Sequence, residues 1–169
     1  MPATTISLIG MPGAGKSTIG VVLAKFSGLR FVDTDLNIQV QAGATLQQIL
    51  DSNGYQYLRS LEKEVLLGIE VDGAIIATGG SVVYSEVVMR QLTTAGPVVY
   101  LEADLATLQQ RVASAPLRGI ASAAGQAFAD IFAERTPLYK RCADLIVDAS
   151  AGTPETVATM ILQALAPPQ

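Results

Sequence analysis

The chain of 169 residues contains no histidine, and its single cysteine is Cys142. Without histidine it lacks the commonest zinc ligand and the commonest general base, so acid–base chemistry falls to Asp, Glu, Lys or a water assisted by arginine. One cysteine excludes an intrachain disulfide, which fits a reducing compartment. We interpret Cys142 as a packing residue, because no histidine is present to activate its thiol.

Charge is also sparse, since charged residues make up 15% of the chain and the formal net charge is −4. The basic residues form no run, so we expect neither nucleic acid nor an anionic membrane as a partner. No uncharged apolar stretch approaches the roughly 20 residues that span a bilayer, and no targeting segment is visible. A chain of 169 residues, half of them apolar, is predicted to form one domain over residues 1–169, which we expect to be cytoplasmic because of the cysteine count and the lack of a targeting segment.

One stretch carries a specific chemical signal. Residues 10–17 read G-M-P-G-A-G-K-S and fit the phosphate-binding P-loop, G-x-x-x-x-G-K-[ST]. A short β-branched strand pattern precedes them, and apolar residues at helical spacing follow up to Ser27-Gly28. The alternative is a glycine-rich turn with a capping serine. It is disfavoured because the lysine and serine stand in register and both flanks are correct.

The residue types explain how such a loop holds a nucleotide. Glycines let backbone N–H groups turn inward around phosphate oxygens, and the helix that begins near Lys16 adds the positive end of its dipole. Lys16 can reach the β- and γ-phosphates, while the Ser17 hydroxyl can bind Mg²⁺. The sequence therefore predicts a protein that binds a nucleoside phosphate.

Five short apolar segments alternate with helical patterns, which predicts an α/β fold with a doubly wound parallel sheet. Ligands of such sheets bind beyond the carboxyl ends of the strands. The P-loop follows the first strand, Asp33-Thr34-Asp35 the second and Gly79-Gly80-Ser81 the third. We therefore expect all three segments to line one crevice.

The carboxylates after the second strand suggest phosphoryl transfer. No N-K-x-D run for guanine is present, and the third strand ends in Ala77-Thr78 without the acidic residue of a usual Walker B motif. Asp33 is then the predicted carboxylate for Mg²⁺, and Asp35 could accept a proton from an alcohol beside the γ-phosphate. The alternative is that Asp33 only ends a strand and Asp35 caps a helix. Beside a P-loop it is the weaker interpretation.

Five motifs follow one another along nearly the whole chain. They are Gly10–Thr18, Asp33-Thr34-Asp35, Leu58-Arg59-Ser60-Leu61-Glu62, Gly79-Gly80 and Glu134-Arg135-Thr136-Pro137-Leu138-Tyr139. In order and spacing they resemble the shikimate kinases. The resemblance implies a three-layer P-loop kinase fold with strand order 2-3-1-4-5 and substrate-binding helices at about 34–62. Between Ala113 and Gln126 the apolar residues follow neither helical nor strand spacing, and there we expect a lid.

The resemblance also implies an activity, the ATP- and Mg²⁺-dependent phosphorylation of shikimate to shikimate 3-phosphate, by a monomer. The acceptor is a small polyol that bears a carboxylate. The implied catalytic residues are Lys16 and Asp35, and to these we add Arg118 from its position in the expected lid. The implied ATP-binding residues are Gly13, Ala14, Gly15, Lys16, Ser17, Thr18, Arg111 and Pro154. The implied substrate-binding residues are Asp35, Arg59, Gly79, Gly80 and Arg135, and the implied metal ligands are Ser17 and Asp33.

Alternatives stay open for the arginines. Arg59 and Arg135 could be surface residues, paired with Glu62 one helical turn on and with Glu134 or solvent. We favour a clamp on the substrate carboxylate, with Glu62 steadying Arg59, because a planar guanidinium matches a carboxylate bidentately. Arg111 could equally be a solvated helix residue.

Two positions depart from the family pattern. Ser81 stands where a third glycine is usual, and Ala115 stands where the lid arginine is usual. Arg118, three residues downstream, is predicted to replace that arginine at the transferring phosphate. These departures leave two alternatives: a related kinase that acts on another hydroxy acid, and a nucleotide-binding regulatory protein with weak catalysis.

Overall fold

The computed structural model describes residues 4–115, 119–120 and 125–167. Its centre is a parallel sheet of five strands in the order β2-β3-β1-β4-β5. The strands are β1 (Ile6–Ile9), β2 (Arg30–Asp33), β3 (Ala74–Ala77), β4 (Val98–Glu102) and β5 (Leu145–Asp148). The predicted sheet and its strand order are confirmed.

Helices cover both faces of the sheet. In the described residues they are α1 (Lys16–Ser27), α2 (Thr34–Ala42), α3 (Leu46–Asn53), α4 (Tyr55–Gly68), α5 (Glu86–Ala95), α6 (Leu105–Ala113), α7 (Phe128–Cys142) and α8 (Pro154–Leu165), with a 3₁₀ turn at Val82–Tyr84. Helices α1 and α8 pack against each other, and α7 packs on β4. None of the described helices is long and apolar enough to cross a membrane.

The burial of the strands explains their sequences. Strands β1 and β3 lie inside the sheet and are buried at every residue, so apolar side chains are required on both faces. The edge strands β2 and β5 are less buried. Threonine caps two of the helices: Thr45 forms a capping box with Gln48, and Thr153 caps α8 just before Pro154.

The buried hydrophobic side chains of the described residues form two clusters. The large one joins the sheet to the helices that cover it. The small one joins α2, α3 and α4 through Ile38, Ile49, Leu58, Leu61 and Val65. These three helices therefore have a small core of their own beside the sheet, and they carry Asp35 and Arg59, two of the residues predicted to bind substrate.

The predicted lid is described only in part. Residues 116–118 and 121–124 lie outside the described residues, and Arg118 is among them. Helix α6 leads into this segment and α7 begins after it.

Candidate active site

The P-loop connects β1 to the start of α1. Gly13 and Gly15 have φ angles of 87° and 93°, a region in which L side chains are strained. Gly15 is the N-cap of α1 and provides no side-chain cap. The N–H groups of the first turn therefore face the loop without a capping oxygen, as an anion site requires.

Lys16 lies back over the loop that precedes it. Its Nζ donates to the carbonyl of Gly10 at 2.7 Å and to the carbonyl of Met11 at 2.9 Å. The ammonium thus lies among the P-loop carbonyls at the edge of the crevice described below.

Asp33 is held from two sides. Its Oδ2 accepts a hydrogen bond of 2.6 Å from Ser17 Oγ, while its Oδ1 accepts from the backbone N–H groups of Asp35 and Leu36. Asp33 is therefore the N-cap of α2, and the interpretation of Asp35 as the cap is wrong. One carboxylate both starts a helix and joins the P-loop serine.

The carboxyl ends of the three strands meet in a crevice of about 350 Å³. Its lining brings together most of the predicted site: Gly13–Thr18, Asp35, Gly79, Gly80, Arg111, Arg135 and Pro154, with Glu62 and Ser81 beside them. The expectation that the segments after β1, β2 and β3 share one crevice is thus met.

Gly79 and Gly80 allow charged groups to approach the backbone closely. A Cβ on Gly79 would overlap Glu62 Oε1 and would lie 3.1 Å from Asp35 Oδ1. A Cβ on Gly80 would lie 2.8 Å from Arg135 Nη1. These two positions need glycine because a carboxylate and a guanidinium occupy the space of a side chain.

The two arginines of the predicted clamp share one aromatic neighbour. Arg135 on α7 is 1% exposed, so the surface alternative is wrong for this residue. Its Cζ lies 5.5 Å from the ring centroid of Tyr84, and Arg59 Cζ lies 4.2 Å from the same centroid. Arg59 also lies over the Tyr55 ring, at 5.1 Å. It is half-buried and lines an adjoining cleft of about 590 Å³ that shares Glu62 and Ser81 with the crevice.

Arg111 supports the P-loop from α6. Its guanidinium donates to the carbonyls of Gly13 at 3.2 Å and Ala14 at 3.5 Å, and to that of Ala149 at 3.4 Å. The alternative of a solvated helix residue is therefore wrong. Pro154, at the first turn of α8, lines the same end of the crevice.

Glu62 is a buried carboxyl in the wall between the two cavities. It is 6% exposed, and Ser81 Oγ donates a hydrogen bond to its Oε2. Burial raises the pKa of Glu62 to about 7, with a smaller upward effect from Asp35. The Ser81 hydrogen bond and the charges of Arg135 and Lys16 act in the opposite direction, towards a lower pKa.

Two aromatic residues of the site, Tyr84 and Tyr139, were not among the predicted site residues. Tyr84 ends the 3₁₀ turn, and its hydroxyl donates to Glu134 while its ring faces both arginines. Tyr139 is buried, donates to the Gly80 carbonyl and stacks on Tyr100 at 5.2 Å between ring centroids. Tyr139 belongs to a motif identified in the sequence, but Tyr84 had no comparable signal.

Comparison with known proteins identifies the family of this chain. The family model described as SKI: Shikimate kinase matches residues 12–166. The chain belongs to the shikimate kinase family. The family's activity, ATP-dependent phosphorylation of shikimate, is supported, and the comparisons favour neither of the two alternatives left open by the sequence.

Relatives and solved structures agree with this assignment. Shikimate kinase 2 of Enterobacter sp. (strain 638) is 38% identical over 165 residues, covering 95% of this chain and 94% of that protein. Shikimate kinase from Acinetobacter baumannii in complex with shikimate has a TM-score of 0.85 at 30% identity, over 96% of this chain and 92% of that one. Shikimate kinase from Aquifex aeolicus vf5 has a TM-score of 0.79 at 30% identity, over 95% of each chain.

Proposed function

We propose that this crevice transfers the γ-phosphoryl group of ATP to a hydroxyl of shikimate, giving shikimate 3-phosphate. The observation that carries the proposal is the meeting of an anion-binding loop, two aspartates and a buried arginine at one edge of the sheet. Phosphoryl transfer depends mainly on positioning and charge neutralisation, and this edge supplies both.

The nucleotide half of the site is the P-loop with its neighbours. Gly13, Ala14, Gly15, Ser17 and Thr18 would surround the phosphates with N–H and hydroxyl groups. Lys16 would exchange the carbonyls of Gly10 and Met11 for oxygens of the β- and γ-phosphates. Arg111 and Pro154, at the end of the crevice beside α6 and α8, would border adenine.

The Ser17–Asp33 pair fits a magnesium ion. A hydroxyl and a carboxylate oxygen 2.6 Å apart are both hard donors, and Mg²⁺ prefers oxygen ligands. No group of three or more His, Cys, Asp or Glu side chains in the described residues could hold a metal. Ser17 and Asp33 would therefore hold Mg²⁺ together with phosphate oxygens and water. When bound, the ion would neutralise charge on the phosphates.

The acceptor half is formed by Asp35, Gly79, Gly80 and the two arginines. Asp35 would hold the reacting hydroxyl and accept its proton, and the backbone of Gly79-Gly80 would lie against the ring. Arg135, fixed by burial, would bind the substrate carboxylate, and Arg59 would reach it from the adjoining cleft across Tyr84. The Acinetobacter baumannii protein, similar over nearly the whole chain, was solved with shikimate bound.

Three further expectations complete the proposal. Arg118, outside the described residues, would act on the transferring phosphate from the lid over 113–126. The chain would work as a single-domain cytoplasmic monomer. It would use ATP and this one small carboxylate-bearing polyol, without nucleic acid or membrane.

The test is the release of ADP in the presence of competing acceptors. We expect shikimate to stimulate release, and a hydroxy acid of different shape or a polyol without a carboxylate to leave it at background. The product should be identified as shikimate 3-phosphate by phosphorus-31 NMR. Release that is independent of shikimate, or faster with another acceptor, would overturn the proposal.

Lys16→Met provides the internal control for this assay. Removing the ammonium should lower kcat by several orders of magnitude, because the ammonium of Lys16 is expected to neutralise charge on the β- and γ-phosphates. Circular dichroism should show that the variant is folded. Full activity in a folded Lys16→Met protein would contradict the role given to the P-loop.

A further inference from the structure

Ser81 occupies the junction between strand β3 and the 3₁₀ turn. It is 6% exposed, and its backbone lies at φ −91° and ψ 2°, a negative φ that does not require glycine. Its hydroxyl donates to Glu62 Oε2 across the wall between the crevice and the adjoining cleft. A buried hydroxyl at this position thus has one acceptor, the carboxyl of Glu62.

The second carboxyl oxygen of Glu62 lies over Gly79 and is not bonded to Ser81. Glu62 Oε1 is buried and has no hydrogen-bond partner in the described structure. It occupies the space over Gly79 in which a Cβ would also come within 3.1 Å of Asp35 Oδ1. A buried acceptor without a donor is costly, so this oxygen is suited to a hydrogen-bond donor brought by a ligand.

We propose that Ser81 is a positioning residue that holds one oxygen of Glu62, so that the other accepts a hydroxyl of the acceptor beside Asp35. The inference rests on the proposed function, since it adds a contact to the acceptor half of that site. Shikimate carries several hydroxyls and one carboxylate. A second carboxylate beside Asp35 would therefore recognise a hydroxyl, while Arg135 would bind the carboxylate group.

The charged surroundings of Glu62 set the sign of its pH dependence. Desolvation and the carboxylate of Asp35 from α2 oppose ionisation, whereas Arg135 from α7, Lys16 from α1 and the Ser81 hydrogen bond favour it. The other titratable or charged side chains that line the cleft beside Glu62 are Arg59, Lys63, Tyr84, Glu86 and Arg90. Only the ionised carboxyl leaves both oxygens free to accept, so acceptor binding should weaken as pH falls through the pKa of Glu62.

The kinetic test is Ser81→Ala. Losing one hydrogen bond that orients Glu62 should raise the KM for shikimate about fivefold at neutral pH, with kcat and the KM for ATP changed less than about twofold. Ser81→Thr retains the hydroxyl and should restore most of the affinity. Ser27→Ala, which removes a hydroxyl bonded to the Leu23 carbonyl at the far end of α1, is the matched control.

A double mutant shows whether Ser81 acts by positioning Glu62 or only by filling space in the pocket. In a Glu62→Ala background, the additional Ser81→Ala change should leave the KM for shikimate unaltered, because the side chain that Ser81 orients is already absent. An equal KM increase from Ser81→Ala in both backgrounds would overturn the proposal. So would an unchanged KM in Ser81→Ala alone.

A readout independent of activity is the carbon-13 NMR titration of the Glu62 carboxyl, assigned with Glu62→Gln. The pKa should be about 7 in the wild-type protein and should rise by roughly one unit in Ser81→Ala. An unchanged pKa would overturn the inference even if shikimate is phosphorylated. If shikimate is not phosphorylated but the pKa rises, the proposed function fails and the Ser81–Glu62 interaction stands.

Discussion

At the scale of single residues, Glu62 makes folding stability depend on pH. Its carboxyl has an ordinary pKa of 4.5 and a folded pKa raised to about 7, chiefly by burial. A raised carboxyl pKa contributes stability that is fully present below 4.5 and is lost as pH rises through 7. At full ionisation the loss is on the order of 3 kcal/mol.

Glu62→Gln tests this dependence, because glutamine resembles the protonated carboxyl and cannot ionise. In urea unfolding at pH 5 and pH 8.5, we expect the variant to match the wild type at the lower pH and to exceed its stability by about 1–3 kcal/mol at the higher pH. The chain has no histidine side chain to titrate in this range. Glu64→Gln, an exposed change on the same helix, is the control, and an equal pH response in both variants would contradict the assignment.

Arg135 also acts as a single residue, because its guanidinium is buried and planar. Arg135→Lys keeps the charge but loses the two parallel donors, so the KM for shikimate should rise at least about tenfold while the KM for ATP changes little. The half-buried Arg59 should respond less to the same change. Arg141→Lys, an exposed arginine on α7, is the matched control. A larger effect at Arg141 than at Arg135 would rule out the clamp.

At the scale of elements, the start of helix α2 and the predicted metal site depend on the same side chain. Asp33 Oδ1 caps the helix, and Asp33 Oδ2 accepts from Ser17. An asparagine at this position could still cap the helix, since asparagine and aspartate are comparable N-caps, but it would lose the anionic oxygen. Capping and metal binding can therefore be separated by one substitution.

Asp33→Asn should leave the free energy of unfolding within about 0.5 kcal/mol of the wild type and raise the Mg²⁺ concentration for half-maximal activity roughly tenfold. Asp33→Ala should lose both the helix cap and the metal-binding oxygen, and the lost cap should lower the free energy of unfolding by about 1 kcal/mol more. Chemical denaturation and a magnesium titration of ADP release measure the two effects. An unchanged magnesium requirement in Asp33→Asn would exclude this carboxylate as a ligand.

Helix α4 shows what an element's sequence pattern can and cannot reveal. Its buried residues are Leu58, Leu61, Glu62, Val65 and Leu66, so a carboxyl lies on the apolar stripe. That position was a readable signal of burial, because the stripe follows helical spacing. The partner of the carboxyl was not readable, since Ser81 is 19 residues away and meets Glu62 only after β3 and α4 have packed.

At the scale of the whole molecule, the sheet was the most predictable part. Interior parallel strands need apolar residues on both faces, so β1, β3 and β4 were recognisable as short apolar segments. The rule that ligands bind at the carboxyl ends of strands then predicted which segments share the crevice. Tyr84 escaped prediction because its ring position depends on how the 3₁₀ turn packs on α7, a contact between distant segments.

The two hydrophobic clusters predict which helices and strands lose protection from hydrogen exchange when one cluster is weakened. Ile49 on α3 belongs to the small cluster, Ile161 on α8 belongs to the large one, and both are at most 4% exposed. Truncating either residue to alanine should lower the free energy of unfolding of the unit that contains it by about 2–5 kcal/mol. In hydrogen-exchange mass spectrometry, Ile49→Ala should increase exchange within 34–68 and leave the sheet protected, because stability differs between cooperative units.

Ile161→Ala should instead increase exchange in α1 and β5, which α8 contacts. Ile69 packs against both clusters, so it offers a route by which a change in one would reach the other. If Ile49→Ala loosened the sheet as much as helices α2 to α4, the clusters would form one cooperative unit. The expected separation would let the acceptor-binding helices adjust while the P-loop stays fixed on β1 and α1, so Ile49→Ala should raise the KM for shikimate more than that for ATP.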